Sequence, residues 1–261
     1  MQLHKDRVVI KVGTSTLTYK TGHLNIRRIE ALVKVISDLK NAGYEIVLVT
    51  SGAIGVGVSK IGLSERPTDI PTKQAAASIG QCELMYMYDK EFNKYNHVVS
   101  QVLLTRYTVE DEKSHQNATN TLNRLLQLRV IPIINENDTV STDEIEFGDN
   151  DTLSAIVAGL VGAEKLIILS DIDGLYTGNP REDHTATLIN EVDEINDYIR
   201  SIAGGAGSAL GTGGMSTKIH AAELMTATGG DMYIINGEDP YLLYDVLDGK
   251  QVGTRFKGNK I

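Results

Sequence analysis

The chain has 261 residues, and its 25 Lys and Arg against 34 Asp and Glu leave a formal net charge of −9. A nucleic-acid binder needs clustered cations that displace phosphate counterions, so this balance excludes a broad basic surface, and the absence of Trp argues against base stacking. Hydrophobic residues at 41% and charged residues at 23% exclude disordered and fibrous classes, and the single cysteine, Cys82, excludes an internal disulfide.

In chain order, β-branched runs alternate with helical patterns. The predicted strands are Arg7 to Val12, Glu45 to Thr50, Val98 to Leu104, Val130 to Ile134, Lys165 to Ser170 and Asp231 to Ile235. Runs such as Ile46-Val47-Leu48-Val49 are apolar throughout and do not alternate, which fits strands covered on both faces of a parallel sheet. After the first strand, Asn25 is placed to cap a helix whose apolar stripe runs through Ile26, Ile29, Leu32, Val33, Ile36 and Leu39 and stops before Gly43. A second helix is expected over Gln74 to Tyr88, with Cys82 as a small core residue. Two more are expected, one from about Thr152 and one over Ile219 to Thr228. No repeat and no Pro- or Ser-rich linker divides the chain, so one α/β domain over residues 1–261 is expected. No apolar run of about 18 residues occurs, and no signal-like stretch opens the chain, so a cytoplasmic protein without a membrane partner is expected.

The candidate chemistry lies at the strand ends, where open α/β sheets bind ligands. Lys11 lies within an apolar strand, where a cation is costly without an anion, and Gly13 follows it. After the second strand come Ser51 and Gly52, placed either to open helix amides to an anion or to form a plain tight turn. The acidic segment supplies Asn135, Glu136, Asn137 and Asp138, then Asp149, Asn150 and Asp151. The latter three can cap a helix, hold an ammonium group or orient lysines. Ser170 and Asp171 end the fifth strand. A run with six glycines between Gly204 and Gly214 leads through Met215, Ser216 and Thr217 to Lys218. A lysine in a first helical turn opposes the helix dipole, so its place needs another reason, such as a bound phosphate. Two lysines, glycine-lined amides and carboxylates point to phosphoryl transfer. Dinucleotide, Walker A, HExxH and paired CxxC patterns are absent.

Together VVIKVGTSTL, VLVTSGAIGVG, QAAASIGQ, PIINENDTV, FGDNDTLSAIVA, LSDIDGLYTGNP and GTGGMSTKIHAA resemble, in order, the amino acid kinase family, and in detail its members that phosphorylate glutamate. The resemblance implies a three-layer α/β/α sandwich with a mainly parallel central sheet, ATP and Mg2+ as cofactors, and transfer to the γ-carboxylate of L-glutamate as the first step of proline biosynthesis. It implies catalytic roles for Lys11, Asp151 and Lys218, and substrate binding by Ser51, Gly52, Asp138, Asp149 and Asn150. Nucleotide contacts would come from Lys11, Gly13, Ser170, Asp171, Thr212, Gly213, Gly214, Met215, Ser216, Thr217 and Lys218. Inhibition by proline and a homo-oligomer, dimer or tetramer, are also implied. The sequence ends soon after GTRF, so the resemblance further implies that the PUA domain appended in many members is absent. A non-catalytic amino-acid sensor would have no need of Lys11 and Lys218, and both are present.

Overall fold

The computed structural model describes residues 6–19, 21–140, 150–204 and 214–259. The chain runs β1 (Arg7–Val12), α1 (Thr14–Leu17), α2 (Ile26–Asn41), β2 (Glu45–Val49), α3 (Ala53–Ile61), α4 (Ile70–Asn93) and β3 (Val99–Leu104). It continues through α5 (Arg106–Glu110), α6 (Glu112–Gln127), β4 (Ile131–Glu136), α7 (Asn150–Val161), β5 (Lys165–Ser170), β6 (Glu191–Val192) and α8 (Asp197–Ala203). The last elements are α9 (Met215–Ala227), β7 (Asp231–Asn236), α10 (Leu242–Leu247) and β8 (Thr254–Phe256).

The eight strands form one sheet in the order β3-β4-β2-β1-β5-β7-β8-β6, parallel except where β8 runs against β7. Both faces are covered, which is why the central strands carry no polar alternation. Val8, Ile10 and Val12 face one way, into the core beneath α2, α3, α4 and α10. Val9 faces the other way, into the core beneath α6, α7, α8 and α9. The result is the expected three-layer sandwich. From β1 the chain builds β2, β4 and β3 to one side and β5 and β7 to the other. That reversal opens a crevice at the carboxyl ends of β1, β2 and β5.

All six predicted strands form. The Asn25 side chain accepts the Arg28 N–H and starts α2, and Gly43 takes the φ of 104° that ends its turn. Strand ends shift by one or two residues, the bounds of α4, α7 and α9 differ, and two side chains lie elsewhere than expected. Ile26, expected in the buried stripe of α2, is exposed in its first turn. α4 extends to Ile70–Asn93 because the Asp69 carboxylate caps it at the Thr72 N–H and Pro71 fits the first turn. α7 and α9 begin at Asn150 and Met215, ahead of their apolar stripes, which places Asn150, Asp151 and Lys218 on helices. The short strands β6 and β8 leave no readable period. Cys82 is exposed, correcting its expected place in the core. The inner face of α4 carries Ala77, Gln81, Leu84 and Tyr88, and Cys82 lies one residue off it.

α3 and α4 touch backbone to backbone. A Cβ on Gly80 would lie 1.8 Å from the Ala53 carbonyl oxygen, and one on Gly57 would lie 1.8 Å from that of Ala76. This contact holds the start of α3, and with it the turn after β2, against the middle of α4.

Candidate active site

The period of two along β1 puts Lys11 on the Val9 face, toward α7 and α9. Its neighbours in register are Val49 of β2 and Ile168 of β5, so the ammonium group lies at the centre of the crevice floor. Lys11 Nζ is 2.8 Å from Asp151 Oδ1, and Lys218 Nζ is 3.0 Å from Asp151 Oδ2. Thr217 Oγ1 donates to the same Oδ2 at 3.1 Å. Asp151 has 0% of its surface exposed, Lys11 8% and Lys218 6%. Burial pushes the Asp151 carboxyl upward, but the charges of Lys11 and Lys218 outweigh it and hold the group below the ordinary carboxylate range. Asp151 also lies in the first turn of α7, where the helix dipole favours an anion. The same carboxylate supplies the anion that Lys218 needs in the first turn of α9. These three groups carry two positive charges and one negative, a centre suited to holding further anionic oxygens.

Glycines without side-chain caps begin α1 (Gly13), α3 (Gly52) and α9 (Gly214). Gly52 has φ 94°, a left-handed conformation that favours glycine, and its Cα faces Thr14. Beside them, Asn150 Nδ2 donates to the Thr50 carbonyl at 2.7 Å, to Ser51 Oγ at 2.8 Å and to Asn135 Oδ1 at 3.0 Å. Asn135 in turn donates to Gln81 Oε1 at 2.9 Å, and the Thr50 hydroxyl pairs with Tyr88 OH at 2.9 Å. Asn150 and Asp151 are adjacent on α7, so one helix end joins this amide cluster to the lysine cluster.

The remaining candidates are spread more widely. Asp138 is half-buried in the turn after β4. Ser170 is buried at the end of β5, where its hydroxyl lies 3.4 Å from Asp171, and exposed Asp171 lies 3.8 Å from Arg181. Met215 packs against the core and Ser216 is exposed. Asp149, Thr212 and Gly213 lie outside the described residues. Gln81, Thr50 and Tyr88 were not singled out from the sequence. For Gln81 the signal was present, as a lone amide on the apolar face of α4.

A cavity of about 510 Å³ lies at the opposite, amino-terminal end of the strands, lined in part by Lys165, Asp231, Tyr233 and Arg255. Arg255 is 2.7 Å from Asp231 there, and the cavity is lined by none of the candidate groups at the carboxyl ends of the strands.

The model of the amino acid kinase family matches residues 6–236. The chain belongs to the amino acid kinase family. It is 54% identical to a glutamate 5-kinase of Clostridium perfringens over 97% of this chain and 96% of that one. It is 53% identical to a glutamate 5-kinase of Listeria welshimeri over 98% of this chain and 95% of that one. Among solved structures, carbamate kinase from Giardia lamblia bound to AMP-PNP superposes with a TM-score of 0.70 at 18% identity, covering 99% of this chain and 100% of that one. UMP kinase from Bacillus anthracis gives 0.67 at 16% identity, covering 98% and 97%. These two likenesses bear on the fold alone. As an amino acid kinase the chain is an enzyme, and within the family it groups with the glutamate 5-kinases.

Proposed function

We propose that the chain transfers the γ-phosphoryl group of ATP to the side-chain carboxylate of L-glutamate, giving L-glutamyl 5-phosphate and ADP. A glutamate γ-carboxylate has an ordinary pKa of about 4.3, so at neutral pH it is already the nucleophile and needs no general base. One carboxylate oxygen attacks the γ-phosphorus, and the bond to the bridging oxygen of ADP breaks. The obstacle is the approach of two anions. Lys11 and Lys218 neutralise charge on the phosphoryl oxygens, and Asp151 holds both ammonium groups at a fixed spacing. Ser51, Gly52, Asp138, Asp149 and Asn150 bind the amino acid. Gly13, Ser170, Asp171 and the run Thr212 to Lys218 bind the nucleotide.

The observation that carries this reading is the pair of buried lysines on one buried carboxylate at the carboxyl end of β1, beside the Asn150 amide cluster. Magnesium would enter with the triphosphate, since this ion is commonly held by phosphates and one or two carboxylates rather than by a protein cage. Among the described residues no cluster of His, Cys, Asp and Glu side chains forms a metal centre, and Asp171, exposed after β5, would be the acid to meet such an ion. Inhibition by proline, a homo-oligomer, a single domain over residues 1–261 and a cytoplasmic setting complete the proposal. Among the described residues no helix is long and apolar enough to cross a membrane.

An acceptor screen reading ADP release tests the reading. L-Glutamate should stimulate release far above L-aspartate, N-acetyl-L-glutamate, carbamate and UMP. Preference for any of those four overturns it.

A further inference from the structure

Three side-chain amides from three elements form one directed chain beside the lysine centre. Gln81 on α4 accepts at Oε1 from Asn135 Nδ2, and Asn135 at the end of β4 accepts at Oδ1 from Asn150 Nδ2. Two backbone groups fix which end of each amide is oxygen. The Glu136 N–H donates to Asn135 at 2.9 Å, so the atom it meets is Oδ1. The Thr50 carbonyl accepts from Asn150 at 2.7 Å, so the atom it meets is Nδ2. Asn150 has thus committed its donors to Thr50, Ser51 and Asn135, while its Oδ1 is bonded to no described residue. At the other end of the chain, Gln81 is 7% exposed and its buried Nε2 has no hydrogen-bond partner among the described residues. A buried amide with an unmet donor weakens a helix face that Leu or Met would fill without that cost, so stability does not explain Gln81. The Gly80–Ala53 backbone contact sets it in place.

We infer that Gln81 is a positioning residue for the amino-acid substrate: through Asn135 it holds in place the Asn150 amide, whose Oδ1 is the atom offered to the substrate's α-ammonium group. This rests on the glutamate-kinase reading and adds to it a source of selectivity. An acceptor oxygen at Asn150 takes an ammonium group and gives nothing to a dicarboxylate that lacks one. Without Gln81 the Glu136 N–H and the Thr50 carbonyl still set the sense of the two amides, but Asn135 loses the acceptor that holds its Nδ2, and its Oδ1 is held less firmly against Asn150.

The test uses Gln81→Met, close in volume, with Gln81→Leu as a second apolar variant should the first fold poorly. Steady-state kinetics should show the KM for L-glutamate raised about tenfold, the scale of one well-made hydrogen bond. The KM for ATP, kcat and Tm should stay close to wild type, a split that general loosening would not produce. Preference for L-glutamate over glutarate should fall by a similar factor. Gln81→Met combined with Asn150→Ala should be no worse than Asn150→Ala alone, because both act through one amide. Unchanged glutamate KM and glutarate preference, additive losses in the double variant, or parallel rises in both KM values with a lower Tm each overturn the assignment. A wild-type chain inert toward glutamate removes the functional reading itself. An active wild type with an indistinguishable Gln81→Met removes only the positioning role.

Discussion

Lys218 reaches Asp151 across 67 positions of the sequence and holds Oδ2 at 3.0 Å, leaving Oδ1 to Lys11. One carboxylate thereby spaces two cations that come from β1 and α9, elements near opposite ends of the chain. Rate should depend on each cation separately. Lys11→Ala and Lys218→Ala should each lower kcat by at least about 10²-fold, the usual cost of losing one preorganised charge contact. The KM for glutamate should move little. Near-wild-type turnover in either variant contradicts the assignment of the two lysines.

Asp151 should matter for stability as well as rate. Asp151→Asn leaves two buried ammonium groups without their anion, a change that costs about 3–5 kcal/mol when a buried pair is broken. For a chain of this size that is a fall in Tm on the order of 10 °C. Thermal unfolding by circular dichroism reads it directly, and a Tm within a degree or two of wild type would show that the lysines do not rely on this carboxylate.

The same ion pairs set a pH dependence. The Asp151 carboxyl titrates below its ordinary value of 3.8 in the folded chain, so on acidification the unfolded chain takes up this proton first. Its stabilisation is complete above the ordinary value and is lost as pH falls through the lower, folded value. Urea unfolding from pH 7 downward should show a constant stability gap between wild type and Asp151→Asn, narrowing only below about pH 4. A gap that widens on acidification has the wrong sign for this arrangement.

Two glycines to alanine should behave in opposite ways. Gly80→Ala drives a methyl into the Ala53 carbonyl, so α3 and α4 must separate. Overpacking of this kind costs roughly 1–3 kcal/mol, and the displaced Ser51–Gly52 turn should raise the KM for glutamate. Gly159 lies inside α7 with nothing within 4 Å of an added Cβ. Gly159→Ala should therefore be neutral or stabilise by about 0.5–1 kcal/mol, the ordinary helix gain. Chemical denaturation of both variants separates the two expectations.

Asp138→Ala should raise the KM for glutamate with little change for ATP. Equal changes for both substrates would move Asp138 out of the amino-acid site.

How much of this was legible in the sequence follows from what is local and what is not. Continuous apolar runs such as Leu166-Ile167-Ile168-Leu169 marked doubly covered strands, because burial on both faces removes the polar alternation. The cost of burying Lys11 marked it as needing an anion. That the anion is Asp151 requires the register of β1 beside β5 and the packing of α7 over both, which no window of sequence contains. The start of α7 at Asn150 was hidden for a related reason: its first turn is polar because it faces the crevice, so the apolar stripe begins later. β6 and β8 were missed because two or three residues cannot display a period. Gln81 was visible as a lone amide on an apolar helix face, but its partner Asn135 arrives from β4, 54 positions on, so its role was not legible.

The most direct test of phosphoryl transfer to glutamate is hydroxylamine trapping with ATP, magnesium and L-glutamate. Hydroxylamine attacks an acyl phosphate and leaves a stable hydroxamate, so the signal reports the product itself rather than ATP hydrolysis. The expected result is glutamyl hydroxamate formed in step with ADP, absent when glutamate is omitted and strongly reduced in Lys11→Ala and Lys218→Ala. ADP release without hydroxamate, or full hydroxamate formation by both lysine variants, would contradict glutamate as the acceptor or the lysine pair as its catalytic centre.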